Sequence, residues 1–354
     1  MKKVSILTYH RAINYGAVLQ CFALKHIIEN LGFETSVLDY NPPVMRKNRS
    51  LIMLTDVISF LYSIKMLVPK IRSIRNFNKF ISKHLNLKPF DPNNSFQDVD
   101  TIVIGSDQVW SPRINSGFDI VYWGDFLPQL RKITYAVSMG TDHKFEPKDC
   151  AVIRKKLDNF ASISVREYSL ASELKYMGVK KEIAKVLDPT LLLDACYYDE
   201  IADDNNAYGN YIFYYEIRHD DNTIELLHKL AKFYNCKIVS LLGPRSKFND
   251  VEYIRLNHGD VSVEKFMGLI KHAKYVVTSS FHGTTFSVIY RKNFYSLIHK
   301  DCDRARDLLD SIGLADRLVA PLDVCEITDV DYSKASGKLS ELISSSLDYL
   351  RVNL

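Results

Sequence analysis

At 354 residues the chain has room for two domains, three at the upper end, since domains run to roughly 100–200 residues each. Lys and Arg total 46 against 42 Asp and Glu, a net charge of +4 that makes no electrostatic case for nucleic acid. With 47% hydrophobic and 25% charged residues the composition excludes a disordered or fibrous chain. The six cysteines, at 21, 150, 196, 236, 302 and 325, form no CxxC pair, so neither a zinc site nor a disulfide framework is expected. The apolar part of the first ten residues is too short for the core of a signal peptide, and the chain is expected to stay in the cytoplasm.

Residues 4–8 read as a strand. Residues 17–31 read as a helix, apolar at 18, 19, 22, 23, 24, 27, 28 and 31 and closed by Gly32. A second strand is expected at 35–39. Residues 44–87 break this rhythm. They show no strand pattern and carry an apolar run at 51–68 interrupted by Asp56 and Lys65. From Arg46 to Lys83 they hold nine Lys or Arg against one acid. A run of 18 residues lies at the lower limit for crossing a bilayer, and with these interruptions no transmembrane helix is expected. The segment reads as a helical insertion with two uses open. One is a basic amphipathic face resting on a membrane; the other is a helical pair packed on the first domain with a solvated basic side.

Strands are expected next at 101–104, 132–137, 161–165 and 185–187. The polar run 199–206 lies in a boundary region between Asp188 and Asn210. The rhythm then restarts, with strands at 211–215, 237–242, 275–279 and 294–298 and helices at 222–234, 262–271, 284–290 and 303–312. A last helical pattern covers 333–350. Such alternation predicts parallel sheets with helices on both faces. The expected fold class is α/β: two Rossmann-like domains facing a cleft, with the helical insertion 44–87 in the N-terminal one. The expected limits are 1–195 and 196–330, with a C-terminal helix in 331–354 packing back on the domains.

Residues 275–290 are the most informative stretch. A buried strand ends in Ser and Thr, and His282-Gly283-Thr284-Thr285 opens a helix. Open α/β sheets place ligands at the carboxyl ends of their strands, and a helix N-terminus suits a phosphate. His282 would stand there with a side chain suited to general acid or base work; the plainer reading is a histidine that caps the helix or bonds a core carbonyl. Two N-terminal loops hold the same position in their own half. The loop 10–17, with His10, Arg11, Asn14, Tyr15 and Gly16, follows strand one and loosely resembles a phosphate or ligand loop. Its single Gly falls short of a dinucleotide fingerprint, and Asn14 is either a ligand contact or a helix cap. Ser106-Asp107-Gln108 could bind sugar hydroxyls and Trp110 could supply a stacking face; equally, Asp107 could cap a helix. Arg166, at another strand end, could pair with phosphate or carboxylate, or with Glu167 beside it. Arg304, with Arg306 at the opening of helix 303–312, could reach the pocket of His282, or pair at the surface with Asp301 and Asp303 beside it. His143 is a weaker acid–base candidate. No cluster of residues calls for a metal.

Six stretches then occur in order: 14–24 (NYGAVLQCFAL), 105–110 (GSDQVW), 132–140 (KITYAVSMG), 164–167 (SVRE), 186–193 (VLDPTLLL) and 279–294 (SSFHGTTFSVIYRKNF). Together they resemble the polysaccharide pyruvyl transferase family, over nearly the whole chain. The resemblance implies a GT-B arrangement and transfer of the enolpyruvyl group of phosphoenolpyruvate to a sugar of a surface polysaccharide or its lipid-linked precursor, as a ketal. It places the family's functional histidine at His282. Where one branch has an arginine that helps hold phosphoenolpyruvate, this chain has Ser280, so another cation is expected to serve, Arg304 first and Arg166 next. The implied donor side is then Ser280, Gly283, Thr284 and Thr285 with these arginines. The implied acceptor side is Asn14, Tyr15, Gly16, Ser106, Asp107, Gln108 and Trp110. No cofactor is implied, with phosphoenolpyruvate as substrate. The partners are that donor, a saccharide, and peripheral contact with the inner face of a membrane; no nucleic acid is among them. A GT-B glycosyltransferase with a nucleotide-sugar donor is the alternative, left open by Ser280. A non-catalytic saccharide-binding protein is a third reading, against which His282 and Gly283 argue.

Overall fold

The computed structural model describes all residues except 52–60, 62, 93–95, 97, 127–129, 141–144, 244–249 and 301. His143 and most of the apolar run 51–68 thus lie outside the described residues. The chain divides into two compact units, Met1–Arg49 with Ile81–Leu193 and Ser340–Leu354, and Ser50–Phe80 with Asp194–Leu339.

The first unit opens with β1 (Lys3–Leu7), α1 (Tyr15–Asn30), β2 (Glu34–Asp39) and α2 (Pro43–Asn48). The long helix α3 (Leu67–His84), part of the second unit up to Phe80, ends just before β3 (Leu87–Pro89) of the first. Then come β4 (Thr101–Ile104), α4 (Pro112–Asn115), β5 (Arg131–Thr134) and α5 (Cys150–Leu157). The unit continues with β6 (Ile163–Val165), α6 (Tyr168–Tyr176) and β7 (Ile183–Lys185). Its main sheet is parallel throughout, in the order β3-β2-β1-β4-β5. Single bridges Ile133–Ser162 and Val137–Val165 carry it on to β6, which pairs with β7.

The second unit holds α7 (Ala195–Asp199), β8 (Tyr211–Tyr215), α8 (Thr223–Tyr234), β9 (Lys237–Leu241) and β10 (Tyr253–Leu256). It goes on through α9 (Val263–His272), β11 (Tyr275–Thr278), α10 (Phe281–Ile289) and β12 (Asn293–Leu297). Last come α11 (Asp303–Ile312), β13 (Leu318–Val319) and the start of α12 (Ser333–Asn353), whose residues from Ser340 on belong to the first unit. Its sheet is parallel in the order β10-β9-β8-β11-β12-β13. The two sheets therefore share one winding. The chain runs outward from a central strand, returns, and runs outward on the other side.

Central strands read as unbroken apolar runs because helices cover both sheet faces. Every residue of β4, β8 and β11 is buried. α1 is buried almost all round, from Tyr15 to Lys25, with Pro189–Leu192 packed against it. α12 is tied down near its end: Ser346 Oγ accepts from Leu187 N at 3.0 Å and Tyr349 OH donates to Thr134 O at 3.0 Å.

The sequence pattern missed β3, β10 and β13, short outer strands with weak alternation. It also assigned the whole insertion 44–87 to the first domain, whereas Ser50–Phe80 groups with the second unit. The reason is close packing. Pro69 O lies 2.6 Å from where a Cβ on Gly259 would stand, and Asn76 Nδ2 donates to Gly259 O at 3.4 Å. Among the described residues no helix is long and apolar enough to cross a membrane.

Candidate functional site

In the second unit the winding reverses between β8 and β11, so the loops leaving their carboxyl ends part and open a crevice. A pocket of about 530 Å³ lies there, lined by residues 218–222 after β8, Ser279 after β11, and 297–299 at the end of β12. Backbone contacts hold these walls. Ser279 Oγ accepts from Ile217 N and Arg218 N at 2.9 and 3.0 Å, and His299 Nε2 donates to Ser279 O at 2.9 Å. His219 sits between two carboxylates, Nδ1 2.7 Å from Glu216 and Nε2 2.9 Å from Asp221. The hydrogen bond to Glu216, outweighing burial, holds the imidazole protonated above its usual range. The lining thus carries one arginine, Arg218, beside a His219 whose two ring nitrogens are bonded to carboxylates, and, in Asp220, Asp221 and Asn222, partners for hydroxyls.

α10 starts at the same strand end. Its cap is Ser280, in extended backbone, whose Oγ accepts from Gly283 N at 3.3 Å. The helix therefore begins three residues earlier than the sequence pattern indicated, and His282 lies inside its first turn rather than capping it. His282 is 6% exposed, its ring 5.0 Å from that of Phe281. The Arg304 guanidinium, on α11, lies 5.5 Å over the same Phe281 ring. The fold thus gathers His282 and Arg304 around one aromatic ring.

Other expected donor contacts face inward. Thr284 Oγ1 bonds Ser280 O and Ser296 Oγ, Thr285 Oγ1 donates to Phe281 O, and both threonines are fully buried. Gly283 answers a packing need. A Cβ there would stand 2.3 Å from Thr278 Oγ1, which is pinned by Tyr215 O at 2.9 Å and Ser280 N at 3.0 Å.

In the first unit the reversal falls between β1 and β4. Asn14 is exposed and caps α1, accepting from Ala17 N at 3.2 Å. Tyr15 and Gly16 are buried. Ser106 is buried and donates to Ala136 O at 3.2 Å. Asp107, at a left-handed φ of 77°, accepts from Gln108 N at 2.9 Å; the cap of α4 is Ser111 instead. Gln108 is half-buried. Trp110 overturns its expectation as a stacking platform. It is 1% exposed, stacked on Trp123 at 4.5 Å, and donates Nε1–H to Tyr122 O, so no ring face is left for a sugar.

Arg166 is likewise spoken for. It is buried among carboxylates, 2.6 Å from Asp188, 3.4 Å from Glu167 and 3.7 Å from Asp107. Burial works against its charge, but Glu167, Asp188 and Asp107 outweigh it and raise its pKa. It is a core ion cluster of the first unit rather than a donor cation.

Sequence reasoning missed one group, and in a second, within the loop 10–17 that it named, it missed the pairing with Asp39. Arg218, His219 and His299 follow strands 211–215 and 294–298 just as His282 follows its own, and the strand-end rule applied to every strand would have found them. At the ends of β1 and β2, His10 Nε2 lies 3.0 Å from Asp39, and Arg11 donates to both Asp39 oxygens at 2.7 and 2.5 Å. The hydrogen bonds from His10 and then Arg11 hold that carboxyl well below the usual range.

A sequence model described as polysaccharide pyruvyl transferase matches residues 14–301. No curated protein matches the chain. Among solved structures the chain is similar to a UDP-GlcNAc 2-epimerase from Methanocaldococcus jannaschii, at 11% identity and TM-score 0.50 over 98% of this chain and 93% of that one. It is also similar to a UDP-N-acetylglucosamine 2-epimerase from Rickettsia bellii, at 10% identity and TM-score 0.44 over 99% and 98%. The first likeness, with the two parallel sheets, gives the fold as GT-B.

Proposed function

Since this chain belongs to the polysaccharide pyruvyl transferase family, we propose that it moves the enolpyruvyl group of phosphoenolpyruvate onto a sugar of a surface polysaccharide or its lipid-linked precursor, closing a pyruvate ketal. The observation that carries this reading is the pocket at the β8/β11 reversal, with Arg218 on its wall and Ser279 leading directly into the helix of His282.

The reaction consumes one donor and two sugar hydroxyls. One hydroxyl oxygen bonds to the enol carbon while a proton reaches the methylene and makes it a methyl. The carbon–oxygen bond to phosphate then breaks with its electron pair leaving on phosphate, and the second hydroxyl closes the ring. Of the two hydroxyl protons released, one balances the new methyl and the other leaves with phosphate. In this scheme His282 delivers the proton to the methylene. Arg304 and Arg218 hold phosphate and carboxylate, since such a donor needs several charge-assisted contacts.

The test is incubation with phosphoenolpyruvate and a panel of lipid-linked sugars, following free phosphate and a product mass gain of C₃H₂O₂. Both signals together are expected. Sugar transfer from a nucleotide sugar, with phosphoenolpyruvate inert, would overturn the reading in favour of a glycosyltransferase. Within it, Arg304→Ala is expected to raise the donor KM about ten-fold, as loss of a charge-assisted hydrogen bond of about 1.5–3 kcal/mol does. An unchanged donor KM would move that role to Arg218.

A further inference from the structure

The segment 61–84 shows two unlike sides. Ser73, Phe77, Phe80 and Ile81 are buried, at the three- and four-residue steps of one helix face. On the opposite side of α3 Val68 and Ile71 are 55% and 44% exposed, and Leu61 and Ile64, in the helical stretch before the turn at Met66, are 59% and 49% exposed. The same outer side continues in cations, with Lys65, Arg72, Arg75 and Lys79 all exposed. Between 61 and 84 the sequence holds no Asp or Glu. A helix face built for water mixes both signs and keeps its apolar residues inward. This one sets an exposed apolar stripe beside a purely cationic one.

We propose that this face docks on the surface of an anionic lipid bilayer. The four apolar side chains enter the boundary between headgroups and acyl chains, and the lysines and arginines pair with lipid phosphates. A nucleic acid would match the cations and leave the apolar stripe in water; a bilayer interface satisfies both halves at once. The segment need not cross the membrane, and its buried side stays packed on the second unit through Pro69 and Asn76.

Co-sedimentation of the whole protein with vesicles tests this. The protein is expected to pellet with phosphatidylcholine vesicles containing phosphatidylglycerol at low salt and to be released at high salt, where screening shortens the attraction. Pure phosphatidylcholine vesicles should leave it in the supernatant. Arg72→Gln with Arg75→Gln should lower partitioning about 25-fold, roughly five-fold for each charge removed. Ile64→Ser with Val68→Ser keeps every charge and should also weaken binding; unchanged binding would show that only diffuse charge is at work and overturn the proposal. A supernatant protein with anionic vesicles at low salt would overturn it as well. So would sedimentation velocity showing a dimer that Ile64→Ser with Val68→Ser dissociates, since the face would then belong to a second copy. Donor turnover on a soluble acceptor analogue should not change in these variants, which separates this proposal from the catalytic one.

Discussion

His282→Ala is expected to lower ketal formation about 10²–10⁴-fold, the range of general acid–base contributions, with the fold intact. Of the two plainer readings, the one in which the histidine serves as the helix cap is removed by geometry, and the one in which it bonds within the core is what thermal melting of the variant tests. Ser280 already caps α10, its Oγ taking Gly283 N, so His282 is not needed to start the helix. Position favours chemistry too: His282 sits in the first turn after β11, beside the reversal where the pocket opens, and shares Phe281 with Arg304. Far-UV circular dichroism and thermal melting of the variant check that the fold survives. A structural role would lower melting temperature and turnover together, whereas a chemical one lowers kcat with little change in donor KM. Activity within a few-fold of wild type in a folded variant would sink the assignment.

Arg166→Ala is expected to destabilise the first unit by about 3–5 kcal/mol, the usual effect of removing one partner from a buried ion pair. The guanidinium is enclosed with Asp188, Glu167 and Asp107, and its loss leaves buried carboxylates without their cation. Asp188 would keep its bonds to Thr190 at 3.0 and 2.7 Å, and Glu167 its 2.5 Å contact with Ser138, which limits the damage without cancelling it. Urea unfolding at neutral pH measures the shift. The transition of the first unit should move by on the order of 1 M or more, for slopes of about 1–3 kcal/mol per molar. A variant of wild-type stability whose donor KM rises instead would return Arg166 to the donor site.

Much of the architecture was legible along the chain, because the signals are local. Apolar runs such as Tyr211–Tyr215 and Tyr275–Thr278 mark strands covered on both faces, and helix periodicity marks the crossovers between them. Parallel sheets follow from that alternation. The importance of residues 279–285 was legible for the same reason, since a strand end, a histidine and a helix start are neighbours in sequence.

What the sequence could not settle were contacts between distant residues. Whether Trp110 offers a ring face depends on Trp123, thirteen residues on, stacking against it. Whether Arg166 is available depends on Asp188, on a different strand end. The pocket itself exists because β8 and β11 are neighbours while β9 and β10 lie to one side, an order no single segment records. Even the allegiance of residues 50–80 turns on the fit of Pro69 against a glycine 190 residues away. Local patterns determine which segments become strands and helices. Burial and charge pairing decide which polar side chains remain available for chemistry, and both are fixed only when remote segments pack.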